Sequence, residues 1–230
     1  MRFFLPSLFI LILSLSSALS RADDFSDGVA LYEQEEYVAA AAAFKKAADK
    51  GKVEAQFNLG LMYLTGEGVA QDYAQARSLF EQAAQQDNVR AQVNLARMYA
   101  KGKGIAPTYV KAVYWFRKAV ALGYADAQYS LGVLYVTGNG VPKDYRQAYD
   151  LFLKAAEQSN ASAQYQLGLM YFKGKAVAVD KVEAMKWFIL AGDYDDAVSY
   201  RRYAESQMSK EQLAEAKSLA ADWTPDEPSQ

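Results

Sequence analysis

A near-identical five-residue string returns every 36 positions: Leu59-Gly60-Leu61-Met62-Tyr63, Leu95-Ala96-Arg97-Met98-Tyr99, Leu131-Gly132-Val133-Leu134-Tyr135 and Leu167-Gly168-Leu169-Met170-Tyr171. A period of this length restricts the fold severely. Each copy is one small unit that cannot bury its apolar face alone, so the copies must stack and share a continuous core. The register holds well beyond the string. Ala55, Ala91, Ala127 and Ala163 open the units, Gly66, Gly102, Gly138 and Gly174 follow the tyrosine by three, and Phe80, Phe116, Phe152 and Phe188 fall 17 residues beyond it. Alanines at 76 and 83, and their copies, bracket that phenylalanine at helical spacing. Each unit therefore reads as two antiparallel helices, at 55–65 and 73–86 in the first copy, and the chain as an all-α solenoid. Neighbour-to-neighbour stacking leaves a long open surface, which suits holding a partner better than enclosing a reaction.

Packing and backbone chemistry account for the repeated positions. A small residue at 60, 96, 132 and 168 lets the paired helices approach closely, while the leucine before it and the tyrosine three later fill the seam. Glycine at 66, 102, 138 and 174 suits the left-handed conformation that ends a helix. A second glycine at 68, 104 and 140 keeps the turn tight, and Ala176 breaks that series. Asp72, Thr108, Asp144 and Asp180 stand just before the second helices, where a side-chain oxygen caps a free N–H for about 1 kcal/mol. Trp115 and Trp187 are expected to pack between second helices, and Tyr73, Tyr109 and Tyr145 to brace the turns. Lys45-Lys46 and the glutamines read as lying on helix surfaces are expected to be solvated.

These residues resemble the Sel-one-like repeat (SLR), a relative of the tetratricopeptide repeat with a longer loop between its helices. The third full copy carries the match most completely: Ala127-Gln128-Tyr129-Ser130-Leu131-Gly132-Val133-Leu134-Tyr135, then Gly138-Asn139-Gly140-Val141-Pro142-Lys143-Asp144-Tyr145, then Ala148 and Ala155-Ala156. The resemblance implies a right-handed α/α superhelix of helix pairs, with repeats at 55–90, 91–126, 127–162 and 163–192. Upstream, Leu31-Tyr32, Tyr37, Ala40, Phe44 and Ala47-Ala48 follow the same register with a loop five residues shorter, as in a plain tetratricopeptide repeat. Residues 23–54 are therefore expected to cap one end. At the other end, 193–223 should form capping helices, the second opened by Ser209-Lys210-Glu211-Gln212, and 224–230 a flexible tail.

Met1-Arg2, the apolar run Phe3 to Leu15 and small residues up to Ala22 have the build of a signal peptide over residues 1–22, with cleavage after Ala22 or, as runner-up, after Ser20. The run is too short to span a bilayer, so no stable membrane insertion is expected after cleavage. Beyond it remain 23 basic and 27 acidic residues, no footprint of a nucleic-acid binder. An exported chain without cysteine points to the bacterial periplasm, with secretion as the alternative.

Catalytic signals are sparse. Without His or Cys the chain lacks the commonest general base, a thiolate nucleophile and the usual zinc ligands, and it has no Ser-x-x-Lys pattern. No catalytic residue, cofactor or metal is expected. Asp193, Asp195 and Asp196 read as solvated or capping carboxylates. The first-ranked function is a non-catalytic adaptor in the cell envelope that binds a protein or peptide segment. An envelope enzyme acting on peptidoglycan or β-lactams and a carbohydrate-binding scaffold in polysaccharide secretion are the rivals.

By resemblance the first helix of each pair lines the concave face. Stripes at spacing i, i+4 and i+7 would then meet the partner. The candidate partner-binding residues are Phe57, Leu61, Arg97, Lys101, Tyr129, Val133, Tyr165, Leu169, Phe172 and Lys173. The competing expectation is that curvature buries much of this stripe within the solenoid.

Overall fold

The computed structural model describes residues 23–194 and 197–225. The expected signal segment, Asp195, Asp196 and residues 226–230 lie outside them. The described residues form twelve α-helices and no strand. Five successive pairs are α1 (Asp24–Glu33) with α2 (Tyr37–Asp49), α3 (Val53–Thr65) with α4 (Tyr73–Gln85), α5 (Val89–Lys101) with α6 (Tyr109–Ala121), α7 (Ala125–Thr137) with α8 (Tyr145–Glu157), and α9 (Ala161–Lys173) with α10 (Lys181–Leu190); α11 (Ala197–Glu205) and α12 (Lys210–Ala221) follow and both pack on α10. From α1 to α11 each helix packs on its chain neighbour; α12 folds back onto α10.

The same backbone bond closes the inter-helix loop of each of the four 36-residue units. The N–H of Asp72, Thr108, Asp144 and Asp180 donates to the carbonyl of Tyr63, Tyr99, Tyr135 and Tyr171 at 2.8–3.1 Å. Asp72, Asp144 and Asp180 then cap the second helix by accepting from two backbone N–H groups each. Thr108 departs from this: its hydroxyl donates back to the Ala106 carbonyl at 3.1 Å and makes no cap bond. Gly68, Gly104 and Gly140 have left-handed φ and lie against the backbone or Cβ of Tyr37, Tyr73 and Tyr109, where an added Cβ would fall within 2.3–2.8 Å. Each loop thus rests on the first residue of the preceding unit's second helix. Ala176 holds the same left-handed φ, +66°, with a Cβ.

Close helix approach depends on the small residues of the repeated string. A Cβ on Gly60, Gly132 or Gly168 would sit 2.5–2.8 Å from the rings of Phe80, Phe152 and Phe188, all fully buried. Truncating one such phenylalanine to alanine removes about 3–5 kcal/mol.

The glutamines at 56, 92, 128 and 164 overturn their expected solvation: all four are buried, one per unit. Gln92 and Gln164 donate to the carbonyls of Ala84 and Ala156, near the ends of α4 and α8, and Gln128 donates to that of Gly123. For these three amides the burial cost is offset by tying a first helix to the end of the preceding second helix, whereas Gln56 donates to Gln82 of α4. Gln86 and Gln158 complete the contact by donating to the Oε1 atoms of Gln56 and Gln128 at 3.0 and 2.9 Å. The corresponding residue for Gln92 is Leu122, and Gln92 Oε1 is buried without a partner.

Candidate partner-binding face

The first helices carry all ten candidate residues, in two distinct environments. Phe57, Tyr129 and Tyr165 occupy one repeated position and set their rings 5.9–6.0 Å from those of Phe80, Phe152 and Phe188. Val93, their fourth counterpart, is buried. Tyr165 is only 5% exposed, because the C-terminal cap brings Tyr194 and Tyr200 against it. Its placement corrects the expectation of a partner contact: the ring is part of the core. Phe172 meets Tyr200 and Tyr203 of α11, and Lys173 donates to the Tyr200 hydroxyl at 3.4 Å and lies over its ring. The cap therefore covers the last part of the stripe with aromatic groups from the chain itself.

Leu61, Arg97, Val133 and Leu169 share a second register and are half-buried, with Lys101 and Lys173 exposed one turn on. Within this register Leu61 lies in a depression of about 360 Å³ between α1 and α3. Val29, Phe44 and Met62 give it apolar walls, and Tyr32, Glu33, Asn58, Thr65 and Glu67 a polar rim. The Tyr32 hydroxyl donates to the Glu67 carboxylate at 2.6 Å, a bond that pushes the tyrosine pKa up to about 12. Arg97 is ion-paired with Asp126 at 3.0 Å. The face thus carries carboxylates at its α1–α3 end and cations, at 97, 101 and 173, farther along. Asn58 and Thr65 lie one residue beyond Phe57 and Leu64 of the i, i+4, i+7 stripe, and Glu67 lies on the loop after α3, so the stripe includes none of the three. The signal was present: the positions equivalent to Asn58 are Asn94, Ser130 and Gln166, polar in every unit.

This arrangement can receive an apolar side chain and charged flanks. Three of its Ser and Thr hydroxyls are engaged by backbone: Thr65 bonds the Leu61 carbonyl, Ser130 that of Asp126 and Thr137 that of Val133. Among the described residues no group of three or more His, Cys, Asp or Glu could hold a metal ion. Asp193 is described, and pairs with Arg201 at 3.5 Å. No described helix is long and apolar enough to cross a membrane.

The sequence model of the Sel1 repeat matches residues 53–88, 89–124, 125–160 and 161–193. Each match starts at or next to a first helix and runs through its second. The structure is similar to that of c5321, a protective antigen of uropathogenic Escherichia coli strains with an SLR fold: TM-score 0.79, 35% identity, over 86% of this chain and 44% of that one. The chain thus spans less than half the length of the Escherichia coli protein. A Sel1 repeat protein from Oxalobacter formigenes aligns with TM-score 0.72 and 29% identity over 87% of this chain and 86% of its own. No curated protein sequence matches significantly. Sel1 repeat proteins generally mediate protein–protein interaction and are typically non-catalytic scaffolds. With four matches in register covering more than half of its length, and the helix pairs to go with them, the chain belongs to the Sel1 repeat family.

Proposed function

We propose that this protein is an adaptor whose first-helix face holds a segment of a protein partner, and that it works in the cell envelope after export, in the bacterial periplasm. The observation that carries the binding reading is the apolar depression around Leu61, rimmed by Glu33 and Glu67 and continued by Arg97 and Lys101. Such a face fits a segment with an apolar anchor, a cation on the α1–α3 side and a carboxylate beyond it. The leader-like residues 1–22 support export, and for an exported chain the absence of cysteine favours the bacterial periplasm.

The repeat register supplies a test that spares the fold. Arg97 stands where Leu61 does one unit earlier, so Leu61→Arg places a side chain already accepted at that register. Crosslinking capture from envelope extract would compare the protein with a Leu61→Arg, Leu169→Arg variant verified by circular dichroism. Loss of one specific protein supports the adaptor reading. Unchanged capture moves the site to another surface. Capture of nothing by either form defeats the reading and turns attention to glycan binding and turnover assays.

A further inference from the structure

The repeats also provide an internal control for surface composition. On the second helices, the positions of Val110, Tyr114 and Ala121 in α6 carry Ala74, Ser78 and Gln85 in α4, and Arg146, Asp150 and Glu157 in α8. In α6 alone are all three apolar or aromatic. Val110 is 69% exposed and Tyr114 54%. They border a groove of about 620 Å³ whose far wall is Gly140, Val141 and Pro142 of the next loop. Arg117 and Lys118 line the same groove, the latter resting on the rings of Tyr114 and Trp115.

The charge around this groove is one-sided. Between Asp87 and Asp126 the chain has seven Lys or Arg residues and no Asp or Glu, whereas residues 23–87 contain twelve acidic and five basic residues. An exposed apolar stripe inside a segment whose only charges, over residues 88–125, are basic is costly to leave bare and complementary to one kind of surface. We propose that the outer side of α6 docks an acidic polypeptide segment bearing an apolar or aromatic anchor, at a site separate from the first-helix face. The anchor would enter between Val110, Tyr114 and Pro142, with flanking carboxylates reaching Arg117 and Lys118. A phosphate polymer fits less well. The unit's cations are dispersed: Arg97 pairs with Asp126 on the other face, and Lys103 and Lys111 lie over Tyr73 and Tyr99. Two cations beside an apolar wall match a short acidic segment rather than a run of phosphates.

The test uses a variant built from the residues of α8 at the same register, Val110→Arg, Tyr114→Asp and Ala121→Glu, which leaves the first-helix face intact. A second variant, Arg117→Gln with Lys118→Gln, removes charge and keeps the apolar stripe. Melting and circular dichroism verify both folds. A random peptide library displayed on phage is selected on the protein and counter-selected on the first variant. The expected sequences are net acidic with Leu, Phe or Trp between carboxylates. A synthetic peptide of that consensus should bind about tenfold more weakly to the first variant. It should bind about three- to tenfold more weakly to the second, with affinity falling as salt rises. A selection yielding no sequence that distinguishes the parent from the first variant overturns the proposal. So does a neutral or basic consensus, or equal binding to the charge-neutral variant. Dimerisation of the protein alone, abolished in the first variant, would assign the face to a second copy and overturn it as well. Because both variants retain the Leu61 depression, failure here is distinguishable from failure of the adaptor reading.

Discussion

Leu122→Gln should stabilise the protein, although it replaces an apolar residue by a polar one. Leu122 is 55% exposed and stands where Gln86 and Gln158 reach back to the buried glutamine on the first helix of their own unit. Gln92 Oε1 is the acceptor left without a partner in that position. An unpaired buried acceptor costs about 1–3 kcal/mol. Against this, the half-exposed leucine forfeits roughly 0.5 kcal/mol when its terminal methyl groups leave a partly buried site. The net expectation is a gain of about 1 kcal/mol, or a rise of roughly 2–4 °C in melting midpoint for a chain of this size. The reciprocal change, Gln158→Leu, orphans Gln128 Oε1 and should lower the midpoint by a similar or larger amount. Thermal unfolding followed by circular dichroism would measure both. If Leu122→Gln leaves the midpoint unchanged and Gln158→Leu is equally silent, the buried amide contacts contribute nothing to stability and the reasoning fails.

Other consequences follow from breaks in the repeat. Thr108→Asp should restore the two-bond cap seen at Asp72, Asp144 and Asp180 and add about 1 kcal/mol, read as a higher urea midpoint. Ala176→Gly should relieve the left-handed strain at φ +66° for a gain of about 0.5–1 kcal/mol; an unchanged midpoint would show that the loop bears no strain. Tyr99 is buried and donates to the Glu81 carboxylate at 2.7 Å, so burial first and this bond second push its pKa from 10.0 up to about 12. The unfolded chain releases this proton near 10 and the folded one only near 12, so the associated stability is intact below pH 10 and lost as pH rises toward 12. Tyr99→Phe should flatten that part of the alkaline decline in melting temperature, and a decline of undiminished slope would refute the assignment.

Tandem repetition explains why the fold was legible. Each weak local signal, such as a glycine three residues after a tyrosine, occurs four times in one register, so chance is averaged away. The site was less legible because residue type and residue position pulled apart. Gln56, Gln92, Gln128 and Gln164 read as surface groups by type, yet their unbroken 36-residue recurrence marked a position with an obligatory partner. Tyr165 read as a surface aromatic, but its burial arises from α11, whose sequence carries the repeat only faintly. Apolar character alone could not separate the Phe57 register, which feeds the core, from the Leu61 register, which faces outward. The helix starts at Val53, Val89, Ala125 and Ala161 lie two residues before the repeated alanines, since capping depends on Asn88 and Asn160 in two units and on no side chain in the others.

The identical loop-closing bond from residue 72, 108, 144 or 180 back to its tyrosine makes every unit self-latching, and each unit otherwise leans only on the ones beside it. Excising a whole 36-residue block would therefore bring together two seams of the kind that already meet elsewhere in the chain. The length of the surface offered to a partner can change by one unit at a time, like links in a chain, without a new core having to be invented.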